Sequence, residues 1–392
     1  MKIDQGRKHL EFLELLRDKK VILFGAGPTC DELLSKIPLE CAFIVDNDPD
    51  FWGRKFRGLE IRNPDQLKEE NRESIAVIIA CSDVLSVVSQ LEKMDLRLGK
   101  EIHVSPFLEF IPPGQETRYP SLLVTCPTEN GGLLKVDPNT LEIRKVYSGN
   151  CRGIVRSQEF YYVVEEHEGI LVLNEQYELV DLIKTKESHN LHGIAIDEEN
   201  GLIYVNETKF DRLGIYDVKT RTRVDEIVLR KGEPDTFDQH HINDVNFYDD
   251  KLFVSMFSLN GVWKHGVWND GGIAIVDKKN RCIEKVVLSG LHQPHSVYIE
   301  ENIVYHCNSR ECNVLMGDKT LCQFTGYTRG LTKWNEYFFV GQSRARRLSA
   351  FTDRFTNISK DTGIHIWNSA DKTSTFIKIP AEQIFEILVL GQ

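Results

Sequence analysis

Short runs of apolar and β-branched residues, separated by polar residues, recur along the chain from Ser121 onward. Five runs begin with the same order of positions: polar, mostly apolar, polar, small, aliphatic. These repeated stretches are Asn150–Ile154, Asn190–Ile194, His241–Val245, Gln293–Val297 and Tyr327–Leu331. A short strand-rich unit that recurs at intervals of tens of residues is typical of a β-propeller.

The strand runs group into six blades, of which the first is incomplete. The last run, Gln383–Leu390, has no blade of its own. We therefore expect it to return to the first blade and supply the inner strand there, which closes the ring and leaves no unpaired edge. Five or seven blades stay open as alternatives, because the segment between Ser343 and Gly363 fits either a loop or a strand.

The first part of the chain has a different pattern. Apolar strand runs at 21–24, 42–45 and 75–80 alternate with helical patterns at 6–20, 28–34 and 84–94. This alternation predicts an α/β Rossmann-like domain over residues 1–111. Prolines and a glycine predict a linker at 112–120. The predicted fold class is therefore a Rossmann-like N-terminal domain followed by an all-β propeller over residues 121–392.

A glycine turn follows the first strand of this N-terminal segment. Gly25 and Gly27 would let the backbone approach a pyrophosphate at a helix N-terminus, and Asp46 lies where an acid often contacts a ribose. Cys30 stands in place of the third glycine of the full motif. Two interpretations stay open: a nucleotide site at Gly25, Gly27 and Asp46, or a structural module that binds no ligand.

The same segment resembles the small N-terminal domains of bacterial sugar acetyltransferases and related sugar-modifying proteins. The motifs that carry the resemblance are FGAG at Phe24–Gly27, VDND at Val45–Asp48, Gly53 and Gly58, and IIACSD at Ile78–Asp83. The resemblance implies that the domain binds a nucleotide sugar rather than NAD.

Composition restricts where in the cell the protein is expected and which partners it is expected to bind. Hydrophobic residues make up 41% of the chain, and no apolar stretch is long enough to span a bilayer or to act as a secretory signal. The nine cysteines are scattered without a CxxC pair, which favours a reduced, cytoplasmic protein. The formal net charge of −11 argues against a nucleic-acid partner. We expect no membrane partner.

The repeated stretches carry the candidate chemistry. Each begins an inner strand, and side chains alternate along a strand, so the first and third positions share a side and converge on the axis. The candidate catalytic residues are His192, His295, His241, Arg152, Arg329, Asn243 and Asp244. Converging arginines indicate a carboxylate or phosphate ligand. His192, His241 and His295 are candidate ligands of a divalent metal, completed by Asp244, Glu386 or water.

Two further segments each have two interpretations. The insert from Ser258 to Asp270 carries Trp263 and Trp268, which would face a sugar ring as a lid or would pack against the N-terminal domain. The basic run Arg344–Arg347 fits a solvated loop, with phosphate binding as the alternative.

The propeller segment resembles a little-characterised family of bacterial propeller proteins. The matching motifs are INDVNF, GGIAIVD, QPHSVYIEENIVYHCNS, GYTRGLTKWNEYFFVGQS and QIFEILVL. We predict an enzyme of bacterial surface-glycan or sugar-nucleotide metabolism that handles an anionic carbohydrate by hydrolase, lyase or epimerase chemistry, with or without a metal. The alternative is a non-catalytic protein that binds a sugar or a nucleotide sugar.

Overall fold

The computed structural model describes residues 10, 12–108, 117–185, 190–229, 237–345 and 355–391. The chain divides between Thr117 and Arg118 into two compact units. This division falls in the predicted linker 112–120, of which residues 112–116 lie outside the described residues. Within the described ranges, no helix combines the length and the apolar character needed to cross a membrane.

The N-terminal unit contains one six-stranded sheet in the order β3-β4-β2-β1-β5-β6. Its strands are β1 (Lys20–Phe24), β2 (Cys41–Val45), β3 (Lys55–Phe56), β4 (Leu59–Arg62), β5 (Ile75–Ile79) and β6 (Ile102–Val104). β1 lies parallel to β2 and β5, whereas β3 and β4 form an antiparallel hairpin. The helices Pro28–Lys36 and Val84–Glu92 pack on this sheet, and residues 12–15 are also helical.

The predicted α/β Rossmann-like domain, and with it that part of the predicted fold class, is wrong. The structure is mostly β, with 48% strand and 12% helix. The connection from β2 to β5 shows why, because it holds the β3–β4 hairpin and short 3₁₀ turns instead of an α-helix. The turns are Pro49–Phe51, Pro64–Glu69 and Arg72–Ser74, capped by Asp48, Asn63 and Asn71. Asp and Asn side chains that bind a nearby backbone amide favour such turns over helix propagation.

The C-terminal unit is a six-bladed β-propeller, as predicted. Each blade is a four-stranded antiparallel sheet. The strands are β7 (Leu122–Cys126), β8 (Gly132–Val136), β9 (Ile143–Tyr147), β10 (Cys151–Arg156), β11 (Tyr161–Glu165), β12 (Gly169–Leu173), β13 (Leu179–Lys184), β14 (Leu191–Asp197), β15 (Leu202–Glu207), β16 (Arg212–Asp217), β17 (Thr222–Val228), β18 (Ile242–Tyr248), β19 (Lys251–Met256), β20 (Gly271–Asp277), β21 (Cys282–Leu291), β22 (Pro294–Glu300), β23 (Ile303–Asn308), β24 (Asn313–Met316), β25 (Lys319–Gln323), β26 (Tyr327–Trp334), β27 (Tyr337–Ser343), β28 (Gly363–Asn368), β29 (Ser374–Lys378) and β30 (Glu386–Val389).

The C-terminal strand closes the ring. β30 pairs antiparallel with β7 and becomes the inner strand of the blade β30-β7-β8-β9. The inner strands β10, β14, β18, β22, β26 and β30 contact one another in turn, and β30 also contacts β10. The two ends of the propeller therefore meet inside one sheet, which leaves no unpaired edge at the seam.

Five of the six inner strands carry a β-bulge in the repeated stretch. In β10, Cys151 pairs with Glu165 and Ile154 pairs with Val163, so three steps along β10 match two along β11. The same one-residue break occurs in β14, β18, β22 and β26, always between the second and sixth positions of the repeat. A bulge of this kind bends the strand and redirects its side chains.

Small residues after the third position let the inner strands converge. A Cβ atom on Gly193 would lie 2.5 Å from Oδ1 of Asp244, and one on Gly153 would lie 2.8 Å from the carbonyl oxygen of His192. Real Cβ atoms do not approach this closely. Glycine at these positions therefore permits the close approach of neighbouring strands at the axis.

The closing strand gives a stability prediction. Ile387 on β30 is 2% exposed and packs with Leu122 and Val124 of β7. We expect Ile387→Ala to lower the free energy of unfolding by about 3 kcal/mol, because it removes buried methyl groups from the seam. Ile303→Ala, at a side chain that is 38% exposed, is the matched control and should change it by less than about 0.5 kcal/mol. Equal effects in urea denaturation would contradict the role of this strand.

Candidate functional site

A cavity of about 450 Å³ lies at the axis of the propeller. The structure places in its wall nine of the ten polar residues at the first and third positions of the repeats. They are Asn190, His241, Gln293 and Tyr327 from the first positions and Arg152, His192, Asn243, His295 and Arg329 from the third. Asn150 is outside the wall, where its Oδ1 accepts a hydrogen bond from the amide of Thr128. Asp244 lies buried outside the wall as well.

His192 is held as a neutral imidazole. Its Nδ1 faces the carbonyl oxygen of Asn190 at 3.0 Å and Oγ1 of Thr208 at 2.5 Å. Since Thr208 already donates its proton to the carbonyl of Ile242, Nδ1 of His192 must be the donor. Nε2 then accepts from Nη1 of Arg152 at 2.9 Å. Burial, together with the charge of Arg152, holds the pKa of His192 well below its usual range.

His295 repeats this geometry in another blade. Its Nδ1 donates to the carbonyl of Gln293 at 3.0 Å and lies 2.7 Å from Oγ of Ser309. Its Nε2 lies 2.9 Å from Nδ2 of Asn243 and is the acceptor there. Oδ1 of Asn243 is buried and has no hydrogen-bond partner among the described residues. Asn243 lines the cavity, but this buried oxygen is not exposed to it.

The two predicted arginines have different surroundings. Arg152 forms an ion pair with Glu166, and its Nη1 also donates to the carbonyl of Leu191 at 2.8 Å. Arg329 lies with its guanidinium carbon 4.0 Å from the centre of the Phe385 ring. Each arginine is thus fixed in place by protein groups, which prepares the two cations for a ligand at little cost in side-chain entropy.

Aromatic side chains form the other part of the wall. Trp263, from the insert between β19 and β20, donates from Nε1 to the carbonyl of Asp238 at 2.6 Å, and its ring centre lies 4.4 Å from that of His241. Trp268 lies in the same insert, and its ring is 4.2 Å from the guanidinium carbon of Arg310. Both tryptophans line the cavity, and so do Phe257 and Arg310.

The chain contains a sixth copy of the repeat, which the sequence pattern alone did not reveal. Gln383-Ile384-Phe385-Glu386-Ile387 has the polar first position and the aliphatic fifth position of the other five. Gln383 lines the cavity, and the Phe385 ring stacks on that of His192 with centres 5.7 Å apart. The phenylalanine at the third position, where the other copies are polar, concealed the match. Arg310 was also missed, because it lies outside the repeats.

Two carboxyl groups, that of the buried Asp244 and that of the half-buried Glu386, lie at corresponding fourth positions of the repeat. Asp244 accepts a hydrogen bond from the amide of Val297 at 2.7 Å, and Glu386 accepts one from the amide of Ile387 at 3.2 Å. Burial raises the pKa of Asp244 to about 6. Burial, and next to it the charge of Asp244, raises the pKa of Glu386 well above its usual range. The pair therefore retains protons where ordinary carboxyl groups have lost them.

The histidines do not fit a metal centre in this conformation. In the described ranges, no three His, Cys, Asp or Glu residues are arranged to hold a metal ion. His192 and His295 direct Nε2 at hydrogen-bond donors, Arg152 and Asn243, whereas a metal ligand needs that lone pair. A divalent metal at His192, His241 and His295 stays a prediction.

The predicted nucleotide site lies in the N-terminal unit. Oδ2 of Asp46 accepts a hydrogen bond from the amide of Ala26 at 2.8 Å, between Gly25 and Gly27, and Oδ1 accepts from the amide of Asp48 at 2.9 Å. Asp46 thus caps the turn whose amides a phosphate would use. A nucleotide or nucleotide sugar at Gly25, Gly27 and Asp46 stays a prediction.

Fold and site together define a six-bladed β-propeller with an arginine-rich cavity at its axis. Residues 179–392 match the family described as "Domain of unknown function (DUF4915)", and the chain belongs to this family. The family description assigns no activity. No curated protein matches the chain.

Solved structures with low identity are similar to the chain. A protein of unknown function from Bacteroides caccae has a TM-score of 0.51 at 10% identity, covering 70% of this chain and 100% of that one. A chain of a nidogen/laminin complex has a TM-score of 0.48 at 10% identity, covering 68% of this chain and 97% of that one. The first likeness supports the propeller fold and carries no function.

The buried carboxyl pair gives a pH prediction. Asp244 has an ordinary pKa of 3.8 and a folded-state pKa of about 6, so the folded protein holds this proton to a higher pH than the unfolded chain. The raised pKa of Asp244 therefore contributes fully to the free energy of unfolding below pH 3.8, and this contribution is lost as the pH rises through 6.

We expect Asp244→Asn to remove this loss. Between pH 4 and pH 7, the free energy of unfolding of the variant should rise relative to that of the wild type by on the order of 2 kcal/mol, because each unit of pKa shift corresponds to about 1.4 kcal/mol. Thermal unfolding across this pH range measures the gain. Asp249→Asn, at an exposed turn, is the control and should follow the wild type. A constant difference between Asp244→Asn and the wild type would contradict the shifted pKa.

Proposed function

We propose that the propeller binds a small anionic carbohydrate in the axial cavity. The observation that carries the proposal is the composition of the wall: Arg152, Arg310, Arg329 and Arg344 line it, and no Asp or Glu is present among its described residues. In a chain with a net charge of −11, this concentration of arginines makes the wall locally basic, even with Arg152 paired to Glu166 outside the wall. Guanidinium groups match the planar geometry of carboxylates and also pair with phosphates.

The rest of the wall supports a sugar as the carrier of the charge. The amides of Asn190, Gln293 and Gln383 offer donors and acceptors for hydroxyl groups. Trp263 and Trp268 offer apolar faces on which a sugar ring can stack. A volume of about 450 Å³ lies in the range of small-molecule sites.

Catalysis on the bound sugar is the second candidate function. One observation favours it: Nδ1 of His295 is anchored by the carbonyl of Gln293, which leaves Nε2 as a proton acceptor at the cavity wall. Displacement of the Asn243 amide from Nε2 by a ligand would give a general base for elimination or epimerisation. His192 is the poorer base, because Arg152 takes its lone pair and lowers its pKa.

Substitution of one arginine tests the binding function. Galacturonic acid supplies a carboxylate, galactose 6-phosphate a phosphate, and galactose no charge. We expect one of the two acids to bind in isothermal titration and Arg329→Gln to weaken that binding at least about tenfold, since a charge-assisted hydrogen bond is worth roughly 1.5–3 kcal/mol.

Arg144→Gln is the matched control, because Arg144 lies exposed on the outer strand β9. It should leave the affinity unchanged. Equal binding of galactose and both acids, or equal affinity in wild type and Arg329→Gln, would contradict anion recognition. If the acid binds and its NMR spectrum does not change over hours, the non-catalytic role is favoured. Turnover of the acid by the wild type that His295→Gln abolishes, with the affinity retained, would favour the enzyme.

A further inference from the structure

A second cavity of about 340 Å³ adjoins the axial one. Arg344 lines both cavities. On two other segments, consecutive residues line one cavity and then the other: Pro127 and Thr128, and Gln383 and Glu382. The two cavities therefore share one wall residue and meet along two continuous stretches of chain.

The floor of the second cavity is fixed by hydrogen bonds between separate segments. The amide of Arg344 donates to the carbonyl of Glu382 at 3.1 Å, and Oγ1 of Thr362 donates to the same carbonyl at 2.9 Å. The amide of Ile379 donates to the carbonyl of Thr362 at 2.9 Å. The floor is therefore preformed, which lowers the entropic cost of binding there.

Thr128 lies at the junction in a strained conformation. Its φ of +123° falls in a region that β-branched residues rarely adopt. The hydrogen bond from its amide to Oδ1 of Asn150, at 3.2 Å, helps to hold it there. Strained backbone that the surrounding structure maintains is concentrated at ligand sites. The strain at Thr128 is thus an observation, independent of the cavity volume, that points to the junction.

The chemistry of the second cavity suits a sugar unit better than a nucleobase. Its described lining has no aromatic side chain on which a base would stack. It offers the apolar run Ile379–Ala381 and polar groups from Thr128 and Asn130. Its charged groups are the cations Arg344, Lys360 and Lys378 and the carboxylates Asp361 and Glu382, which leaves an excess of one positive charge. These groups match a pyranose with an acidic substituent.

We propose that the two cavities form one groove that binds an acidic oligosaccharide, with one unit at the axis and the next against Ile379–Ala381 and Lys360. This inference rests on the proposed function, because the first unit occupies the axial cavity. The ligand class is thereby a chain of at least two acidic sugar units rather than a single sugar.

Isothermal titration with galacturonic acid and with trigalacturonic acid tests the groove. We expect the trimer to bind at least about tenfold more tightly than the monomer, because it fills both cavities. We expect Lys360→Glu to remove most of that gain, through repulsion of the second carboxylate, and to leave the affinity for the monomer unchanged.

Lys319→Glu makes the same charge change at an exposed position on β25 and is the control. It should preserve the preference for the trimer. Equal affinities for trimer and monomer, or a trimer affinity insensitive to Lys360→Glu, would overturn the groove while leaving the axial site intact. If neither compound binds, the groove is overturned, and so is the assignment of a uronic acid to the axial cavity.

Discussion

The bulge in the inner strands is the constraint on which the rest of the propeller axis depends. One extra residue in each of five inner strands breaks the ladder at the repeated stretch. The third residue of each stretch contributes to the cavity wall, and glycines such as Gly153 and Gly193 allow the neighbouring strand to approach. Hydrogen bonds then link one blade to the next, as from Arg152 to the carbonyl of Leu191. The bulge thus shapes the cavity and joins the ring.

The polar groups at the axis form a preorganised layer. His192 and His295 are fixed through Nδ1 by a backbone carbonyl two residues earlier. The same arrangement in two blades follows from one repeated local geometry. At the fourth positions of two repeats, burial raises the pKa of the carboxyl groups of Asp244 and Glu386 above their ordinary values.

Much of the propeller could be predicted from the sequence, because the pattern of apolar and polar residues in each repeat predicts the inner strand of one blade. Polar side chains at the first and third positions of the repeats did identify the cavity wall. Phe385 hid the sixth copy, since hydrophobic pattern alone cannot reveal that an aromatic ring supports Arg329 there. Arg310 and Arg344 come from loops, whose course is set by tertiary contacts. In the N-terminal unit, the alternation of strand and helix patterns suggested a Rossmann-like domain, because it does not reveal the hairpin and the capped turns, such as the one at Asn63, that connect β2 to β5.

Binding of an anionic carbohydrate at the axis is the central claim. A crystal structure of the protein with galacturonic acid tests it most directly, because it locates the carboxylate. We expect both carboxylate oxygens to lie within hydrogen-bonding distance of the guanidinium of Arg329 or Arg152. A ligand found elsewhere on the chain, or a cavity that holds only water at saturating ligand, would contradict the account.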